Sequence, residues 1–376
     1  MDQNVQPAFE TPLPDLAGAW TVGAGAPGAL DRTGGRPRVN WEAPENAARL
    51  DAFVFAMEDE IHVPTTLYNE GRREMRNLRD RARRGERGNV FVIGGLTGAG
   101  KSWLLDRNLL DGDFPDVRTR WADPMPVLRL DAPSPGRMKA LIVKMLSIVS
   151  GYEVSDRPSE PMLMRQFLKV ARERGVRVIK IDEFQHIVNL SRTDRHERTV
   201  SETLKTLLNE TDIQLVLAGE PSVLTFFDRW KQFERRGSQL PMTPFAGKVG
   251  RAEFTAFLEG YDQQLADLSC IGKFIGKSDF AQKVDRFQLA TGGYVGLAAK
   301  LIRCAAEMSY KAEEDTVDET LAVAYERWRR RGDLLNPFLM NAVQLREAAV
   351  SGSKSNGAGN TRMRGTGGIA EPTYGK

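Results

Sequence analysis

Apolar residues recur along the middle of the chain in two alternating patterns. Short apolar runs rich in β-branched residues predict strands, and longer stretches with apolar positions three or four residues apart predict helices. The predicted strands lie at 90–93, 127–130, 176–181 and 213–218, and the predicted helices at 65–84, 136–149, 163–171 and 199–210. Strands that alternate with helices are typical of a parallel sheet covered on both faces, so the pattern predicts an α/β fold.

The pattern changes near residue 250, after which no strand signal recurs. Helical spacing continues at 251–266, 278–290, 295–310 and 317–331, which predicts a small all-helical lid. Both ends of the chain are rich in Gly and small polar residues without periodicity, so we expect them to be flexible. The predicted segments are a flexible arm at 1–45, an α/β domain with an N-terminal helical extension at 46–248, the lid at 249–335 and a flexible tail at 336–376.

Composition narrows the class of protein without identifying it. The 376 residues carry a formal net charge of only +3, so any nucleic-acid binding must depend on local basic clusters. Cys270 and Cys304 are too few for a disulfide framework or a zinc site, which fits a reducing compartment. No apolar run approaches the roughly 20 residues of a membrane span, and the N-terminus lacks a secretory pattern. We therefore expect a cytoplasmic protein with no membrane partner.

A glycine-rich loop between the first strand and a helix carries the clearest chemical signal. It matches the phosphate-binding pattern GxxxxGK[ST], in which glycines let backbone N–H groups point at phosphate oxygens. The lysine would contact the β- and γ-phosphates of ATP, and the serine would hold Mg²⁺. The predicted nucleotide-binding residues are Gly95, Leu96, Thr97, Gly98, Ala99, Gly100, Lys101, Ser102 and Trp103.

Two carboxylates follow the strand at 176–181. A strand that delivers Asp182 and Glu183 beside a phosphate loop has the form of a Walker B element. Asp182 would orient Mg²⁺, and Glu183 would polarise the water that attacks the γ-phosphate. Together with Lys101, these residues predict an ATPase that hydrolyses its nucleotide.

The order of these elements resembles that of AAA+ ATPases, which have a P-loop α/β domain followed by a helical lid. Three segments narrow the resemblance to the TniB and TnsC transposition ATPases, with the phage protein MuB as a more distant functional relative. They are Ile61-His62-Val63-Pro64, Ile181-Asp182-Glu183-Phe184-Gln185-His186-Ile187 and Leu215-Val216-Leu217-Ala218-Gly219-Glu220. The resemblance covers about residues 45 to 335.

The resemblance implies an ATP-dependent protein that assembles as a homo-oligomeric ring or filament on duplex DNA. It would mark the insertion target and communicate with a transposase and a target-selector protein, in the bacterial cytoplasm at the nucleoid. It further implies that Arg236, or its neighbour Arg235, acts as an arginine finger on the ATP of the next subunit. At the sensor 1 position, where the family has Gly followed by a small polar residue, this chain has Gly219-Glu220.

Basic clusters provide candidate contacts to DNA phosphates. In ring-forming relatives, the loops after the second strand and the Walker B strand face the central pore, which favours two sets over the basic run at 72–84. The favoured sets are Arg137, Lys139 and Lys144, and Arg192, Arg195 and Arg198. The run at 72–84 is either a DNA contact or a solvated helix face. No sequence-reading motif occurs, so binding should be largely independent of sequence.

Two other functions fit the same motifs. One is a helicase loader or another DNA-remodelling AAA+ ATPase. The other is a nucleotide-gated scaffold that neither binds DNA nor turns ATP over appreciably. Duplex-stimulated hydrolysis separates the scaffold from the two DNA-acting alternatives.

Overall fold

The structure is a computed structural model that describes residues 39–348. Residues 118, 120–122, 135, 190–193, 231–232, 234, 269–274, 315 and 329–334 lie outside the description. The chain divides into a unit that ends at Ala48 and a second unit that begins at Arg49. In the first unit, the Asn46 side chain donates a hydrogen bond to the Asn40 carbonyl at 2.9 Å. The sheet, the lid and the candidate site belong to the second unit.

Five parallel strands form one sheet in the order β2-β3-β4-β1-β5. The strands are β1 (Val90–Gly95), β2 (Val127–Asp131), β3 (Val178–Asp182), β4 (Gln214–Gly219) and β5 (Gly237–Met242). The helices of this domain are α1 (Pro44–Asp59), α2 (Thr66–Arg83), α3 (Lys101–Asp106), α4 (Met138–Ser150), α5 (Glu160–Arg174), α6 (Gln185–Val188), α7 (Asp194–Glu210) and α8 (Pro221–Arg229). The predicted α/β fold is confirmed.

Apolar side chains cover the sheet on both faces. Every residue of β1 and β4 is buried, which explains why apolar residues in these strands follow one another without alternation, apart from Gln214 at the start of β4. Leu141 of α4 and Phe167 of α5 belong to the cluster on one face of the sheet, whereas Met75 of α2 and Leu104 of α3 belong to the cluster on the other. The amphipathic spacing read from the sequence therefore marks the side of each helix that packs on the sheet.

The edge strand β5 was not among the predicted strands. Its sequence, Gly-Ser-Gln-Leu-Pro-Met, lacks β-branched residues and contains Pro241, whose missing N–H is tolerated only at sheet edges. It pairs with β1 alone, with Val90 opposite Gly237 and Gly95 opposite Met242. Tertiary pairing, rather than local preference, makes this segment a strand.

The described residues of the lid form four α-helices and one short 3₁₀ turn. Its helices are α9 (Gly247–Asp267), α10 (Val284–Thr291), α11 (Val295–Ala312) and α12 (Asp318–Trp328). The helix predicted at 278–290 begins later, because Phe280–Lys283 forms the 3₁₀ turn. Buried Asp262 accepts hydrogen bonds from the backbone N–H groups of Ser278, at 2.9 Å, and Phe280, at 3.3 Å. In the described part of the chain, no helix combines the length and apolar character needed to cross a bilayer.

Candidate functional site

The loop after β1 adopts a backbone that its glycines make possible. Gly98 and Gly100 have φ angles of 81° and 95°, in the left-handed region that side-chain-bearing residues rarely occupy. A Cβ atom at Gly98 would overlap the side chain of Leu297 on the lid helix α11. The loop therefore turns tightly into α3 while the lid lies directly against it.

Lys101 begins α3 and reaches back over the loop. Its ammonium donates hydrogen bonds to the carbonyls of Gly95, at 2.8 Å, and Leu96, at 3.1 Å. Burial lowers the pKa of this ammonium, although the carboxylates of Asp182, Glu183 and Glu220 oppose that shift. The lysine thus lies among three acidic groups, where a bound anion would compete for its proton donors.

Ser102 and the end of β3 face each other across the site. The Ser102 hydroxyl donates to the Asp182 carboxylate at 2.8 Å, which joins α3 to the strand that carries both acidic residues. Glu183 follows with φ of 53°, a left-handed conformation that costs about 1–2 kcal/mol for a residue with a side chain. Such strain is often found where a side chain must be directed into a functional site.

Lys101, Ser102 and Glu183 line a cavity of about 400 Å³ between the α/β domain and the lid, and Asp182 is bonded to Ser102 at its margin. The volume lies within the range of about 300–1,000 Å³ that is usual for small-ligand sites. Apolar walls come from Ile61 and Val63 on one side and from Tyr261 and Leu297 of the lid on the other. The cavity therefore has polar groups from the glycine-rich loop and Glu183 on one part of its lining and apolar side chains on another.

Trp103 lies beside the cavity in an aromatic cluster. Its ring centroid is 4.7 Å from that of His62 and 4.8 Å from that of Tyr68. Burial lowers the pKa of the His62 imidazole, and the charges of Arg107 and Arg72 lower it further. The cluster connects the segment before α2 to the helix that begins with Lys101.

Arg236 lies at the edge of the sheet where the strands begin, whereas the phosphate loop lies at the edge where they end. It precedes β5, and its carbonyl accepts a hydrogen bond from Val90 N–H at 2.8 Å, where β1 begins rather than ends. Six residues of strand separate these two edges, which is about 20 Å at roughly 3.3 Å per residue. The Arg236 guanidinium instead donates to the Asn209 side chain at 2.5 Å. It therefore cannot reach the cavity of its own subunit.

The predicted DNA-contact residues lie in different surroundings. Arg137 is exposed immediately before α4, and Lys139 is half-buried in the first turn of that helix. Lys144 donates to the Asp131 carbonyl at the end of β2, at 2.8 Å. Arg198 is exposed on α7. Arg192 and the side chain of Arg195 lie outside the described residues.

Several residues that line the cavity or contact its lining were not predicted as site residues from the sequence. Gly296 and Leu297 contact the phosphate loop from α11, and a Cβ atom at Gly296 would lie 2.5 Å from the Gly98 carbonyl oxygen. Gln185 bonds to both Glu183 and the backbone after β4. The Gly292-Gly293 turn before α11 was a usable signal for the lid contact, whereas no local pattern indicates Gln185.

A central parallel sheet in this strand order, with a phosphate loop after β1, two carboxylates after β3 and a helical lid, defines an AAA+ P-loop ATPase. The family model described as bacterial TniB protein matches residues 56–246, just over half of the 376-residue chain. The chain belongs to the TniB family.

Comparison with other known proteins adds little to this assignment. No curated protein sequence matches the chain. Solved structures with some likeness include the Orc1 protein of Aeropyrum pernix in complex with DNA, which is 17% identical with a TM-score of 0.49 over 73% of this chain and 68% of that one. Another is Cdc6p from Pyrobaculum aerophilum, which is 14% identical with a TM-score of 0.47 over 73% and 70%. The class follows from the sheet order and the phosphate loop rather than from these weak likenesses.

Proposed function

We propose that this protein is an ATP-hydrolysing AAA+ protein that binds duplex DNA in its ATP state and regulates transposition. The observation that carries the proposal is the convergence of Lys101, Ser102 and Glu183 on one cavity that the lid also lines, with Asp182 bonded to Ser102 beside it. Membership of the TniB family supports the role in transposition, which the cavity alone does not address.

In this proposal the triphosphate of ATP lies along the loop 95–102. The Lys101 ammonium exchanges its carbonyl partners for β- and γ-phosphate oxygens, and the start of α3 adds backbone N–H donors. The apolar walls at Ile61, Val63 and Leu297 enclose the base. The lid contact with Gly98 then makes the position of the lid sensitive to the ligand in the loop.

Two oxygen ligands, the Ser102 hydroxyl in α3 and the Asp182 carboxylate at the end of β3, fit Mg²⁺. Ser102 and Asp182 would hold the ion, because a hydroxyl and a carboxylate are ligands that magnesium accepts together with phosphate oxygens and water. When bound there, Mg²⁺ neutralises charge on the phosphates. Among the described residues, no cluster of three or more His, Cys, Asp or Glu side chains could hold a metal without the substrate.

Glu183 is the proposed general base. Its carboxylate lines the cavity, where it would accept a proton from the water whose oxygen attacks the γ-phosphorus. The bond between the γ-phosphorus and the bridging oxygen breaks, and the products are ADP and phosphate. Arg236 would complete this site in a neighbouring subunit, since it lies about 20 Å from its own phosphate loop.

Duplex DNA would contact basic residues near the carboxyl ends of β2 and β3. Arg137 and Arg198 are exposed there, whereas Lys144 would have to release the Asp131 carbonyl. Phosphate contacts of this kind release counterions, so affinity should fall steeply with salt. They do not read sequence, so unrelated duplexes should bind alike.

Anisotropy titrations of two unrelated duplexes across a salt series, with and without a slowly hydrolysed ATP analogue, test the proposal. We expect ATP-dependent binding to both duplexes with similar affinity and a negative slope of log affinity against log salt. Substitution of Arg137 and Lys139 by Gln should weaken both duplexes equally. Absence of ATP-dependent binding to either duplex would remove the basis for the transposition role and favour the nucleotide-gated scaffold.

A further inference from the structure

Glu183 is held by a neighbouring side chain. The Gln185 amide N–H donates a hydrogen bond to the Glu183 carboxylate, and the Gln185 amide oxygen accepts one from the backbone N–H of Glu220 at 3.1 Å. Gln185 is buried, whereas the Glu183 side chain is about half exposed, with 49% of its surface accessible. One glutamine thus joins the proposed general base to the residue that follows β4.

The backbone around Gln185 is shaped to accommodate this bridge. A Cβ atom at Gly219 would lie 2.5 Å from the Gln185 amide oxygen, so a side chain there would displace the amide. The Phe184 N–H donates to the Ala218 carbonyl at 2.8 Å, which brings the segment after β3 against the end of β4. The absence of a side chain at position 219 therefore leaves the space that the bridge occupies.

Few other contacts fix the Glu183 side chain. Its backbone N–H is bonded to the Asp182 side chain at 2.8 Å, but that bond does not orient the carboxylate. The His186 imidazole is 4.0 Å away, beyond a hydrogen bond. Because the residue also has a left-handed backbone, the Gln185 bridge is the strongest described constraint on where its carboxylate lies.

We infer that Gln185 is a positioning residue, which holds the Glu183 carboxylate toward the nucleotide and links its placement to Gly219-Glu220 at the end of β4. The inference rests on the proposed ATPase function. A displacement of β4 by a ligand at its end would move the base through this bridge. Since a misplacement of about 1 Å can lower a rate about 100-fold, loss of the bridge should affect hydrolysis more than binding.

The central experiment compares Gln185→Met with the parent protein. Methionine has a similar length but cannot make either hydrogen bond. We expect kcat for ATP hydrolysis to fall about 10- to 100-fold, with KM and the affinity for a fluorescent ATP analogue within about twofold. Gly219→Ala, which displaces the bridge without removing it, should lower kcat in the same way.

Gln214→Met is the matched control. Gln214 is also a buried glutamine that bonds to backbone groups, but it lies at the other end of β4. Its loss should lower the thermal unfolding temperature without a selective fall in kcat. If Gln185→Met does not fold, Gly219→Ala and Gln185→Glu decide, because glutamate keeps the Glu220 N–H bond but cannot donate to Glu183.

A double-mutant cycle separates positioning from general damage. In a Glu183→Gln background, Gln185→Met should cause little further loss of kcat, because its effect passes through the Glu183 carboxylate. A full additional loss in that background, or a kcat within twofold of the parent for the single variant, overturns the inference alone. A parent protein that does not hydrolyse ATP overturns the proposed function and the inference with it.

Discussion

The edge of the central sheet where the strands begin and the edge where they end use polar side chains in opposite ways. Where the strands begin, polar groups are paired within the chain. The Gln214 side chain donates to the Glu86 carbonyl at 3.1 Å and accepts from Asn89 N–H at 3.0 Å, and Arg177 pairs with Asp212 at 2.5 Å. These bonds attach the beginnings of β3 and β4 to neighbouring loops.

Where the strands end, polar groups converge on a cavity instead. Lys101 is surrounded by carboxylates, Glu183 has a left-handed backbone and the loop depends on two left-handed glycines. The left-handed backbone conformation of Glu183 costs stability, and the free energy of binding a ligand would offset that cost. The side chains where the strands begin therefore hold the sheet together, and those where the strands end are arranged for a ligand.

The largest effect is expected at Arg236, because this candidate catalytic group lies where the strands begin, away from the cavity. If it completes a neighbour's site, Arg236→Ala should lower kcat about 10³-fold or more while ATP affinity stays within about twofold. Equilibrium binding and steady-state hydrolysis measure the two quantities. Arg81→Ala, which removes another arginine from the same surface cavity, is the control and should leave kcat unchanged.

Mixing variants tests whether Arg236 acts between subunits. Arg236→Ala and Glu183→Gln proteins each lack a different half of a shared site, so mixed assemblies contain some interfaces with both halves intact. Activity should partly recover on mixing. Co-assembly without any recovery would restrict the arginine to a structural role at its own edge.

Glu183→Gln should have the next largest effect, at the ligand edge. The amide cannot accept the proton of the attacking water, so kcat should fall about 10²- to 10⁴-fold while ATP still binds. The variant should also remain on duplex DNA after ATP is added. Glu86→Gln, at the opposite edge of the sheet, should hydrolyse ATP like the parent; equal hydrolysis by both variants would assign the base to another residue.

Lys180 lies between the two edges, and its titration predicts how the free energy of unfolding depends on pH. Its buried ammonium donates to the carbonyls of Leu105 and Asn108, the latter at 2.8 Å, and so ties β3 to the end of α3. Burial, with a smaller contribution from the charge of Arg129, lowers the pKa of this ammonium to about 8. In the unfolded chain the lysine would keep its proton to its ordinary value of 10.5.

Between about pH 8 and pH 10.5, the pKa values of Lys180 in the folded and unfolded chain, the unfolded chain binds more protons than the folded chain. The free energy of unfolding should therefore rise with pH in this range. The shift corresponds to about 3 kcal/mol over that window. Denaturant unfolding of the parent and of Lys180→Met from pH 7 to 10.5 measures it as a difference in slope. Parallel pH profiles for the two proteins would contradict a lowered pKa at Lys180.

Sequence patterns indicate candidate residues more clearly where the strands end than where they begin. The phosphate loop and the Walker B pair are local signals, because each function needs consecutive residues of fixed type, such as Lys101-Ser102 and Asp182-Glu183. Strands β1 to β4 were also predicted, since apolar residues predominate in each of them. The Ser102–Asp182 hydrogen bond agrees with the pairing that those motifs require.

Features that depend on distant partners were not predicted from local sequence. β5 is a strand only because β1 pairs with it, and its Pro241 argues against a strand when read alone. The role of Leu297 against Gly98 requires the lid to fold back over the loop. Gln185 is one polar residue in a short helix, and only the approach of Gly219 reveals its bridge.

Lys101→Ala should have a smaller effect than the preceding variants, and on binding rather than on turnover. Charge-assisted hydrogen bonds are worth about 1.5–3 kcal/mol each, so affinity for an ATP analogue should fall about 10- to 100-fold or below detection. Lys144→Ala, which removes an ammonium bonded to the Asp131 carbonyl outside the cavity, is the control. Unchanged affinity in Lys101→Ala would exclude the loop as the phosphate site.

The smallest effect is expected on the outer face of α2, which belongs to neither edge. Arg72, Arg73 and Arg76 are exposed there, and Arg72 and Arg76 border a cavity that also contains carboxylates, including Asp59 and Asp106. These acidic neighbours offset part of the attraction for DNA phosphates.

Replacing the three arginines by Gln should therefore change duplex affinity less than twofold at 150 mM salt. The same number of charges removed at Arg137, Lys139 and Lys144 should lower affinity about tenfold and reduce the salt slope. Anisotropy titrations of both triple variants decide the order; a larger loss on α2 would move the DNA path to that helix.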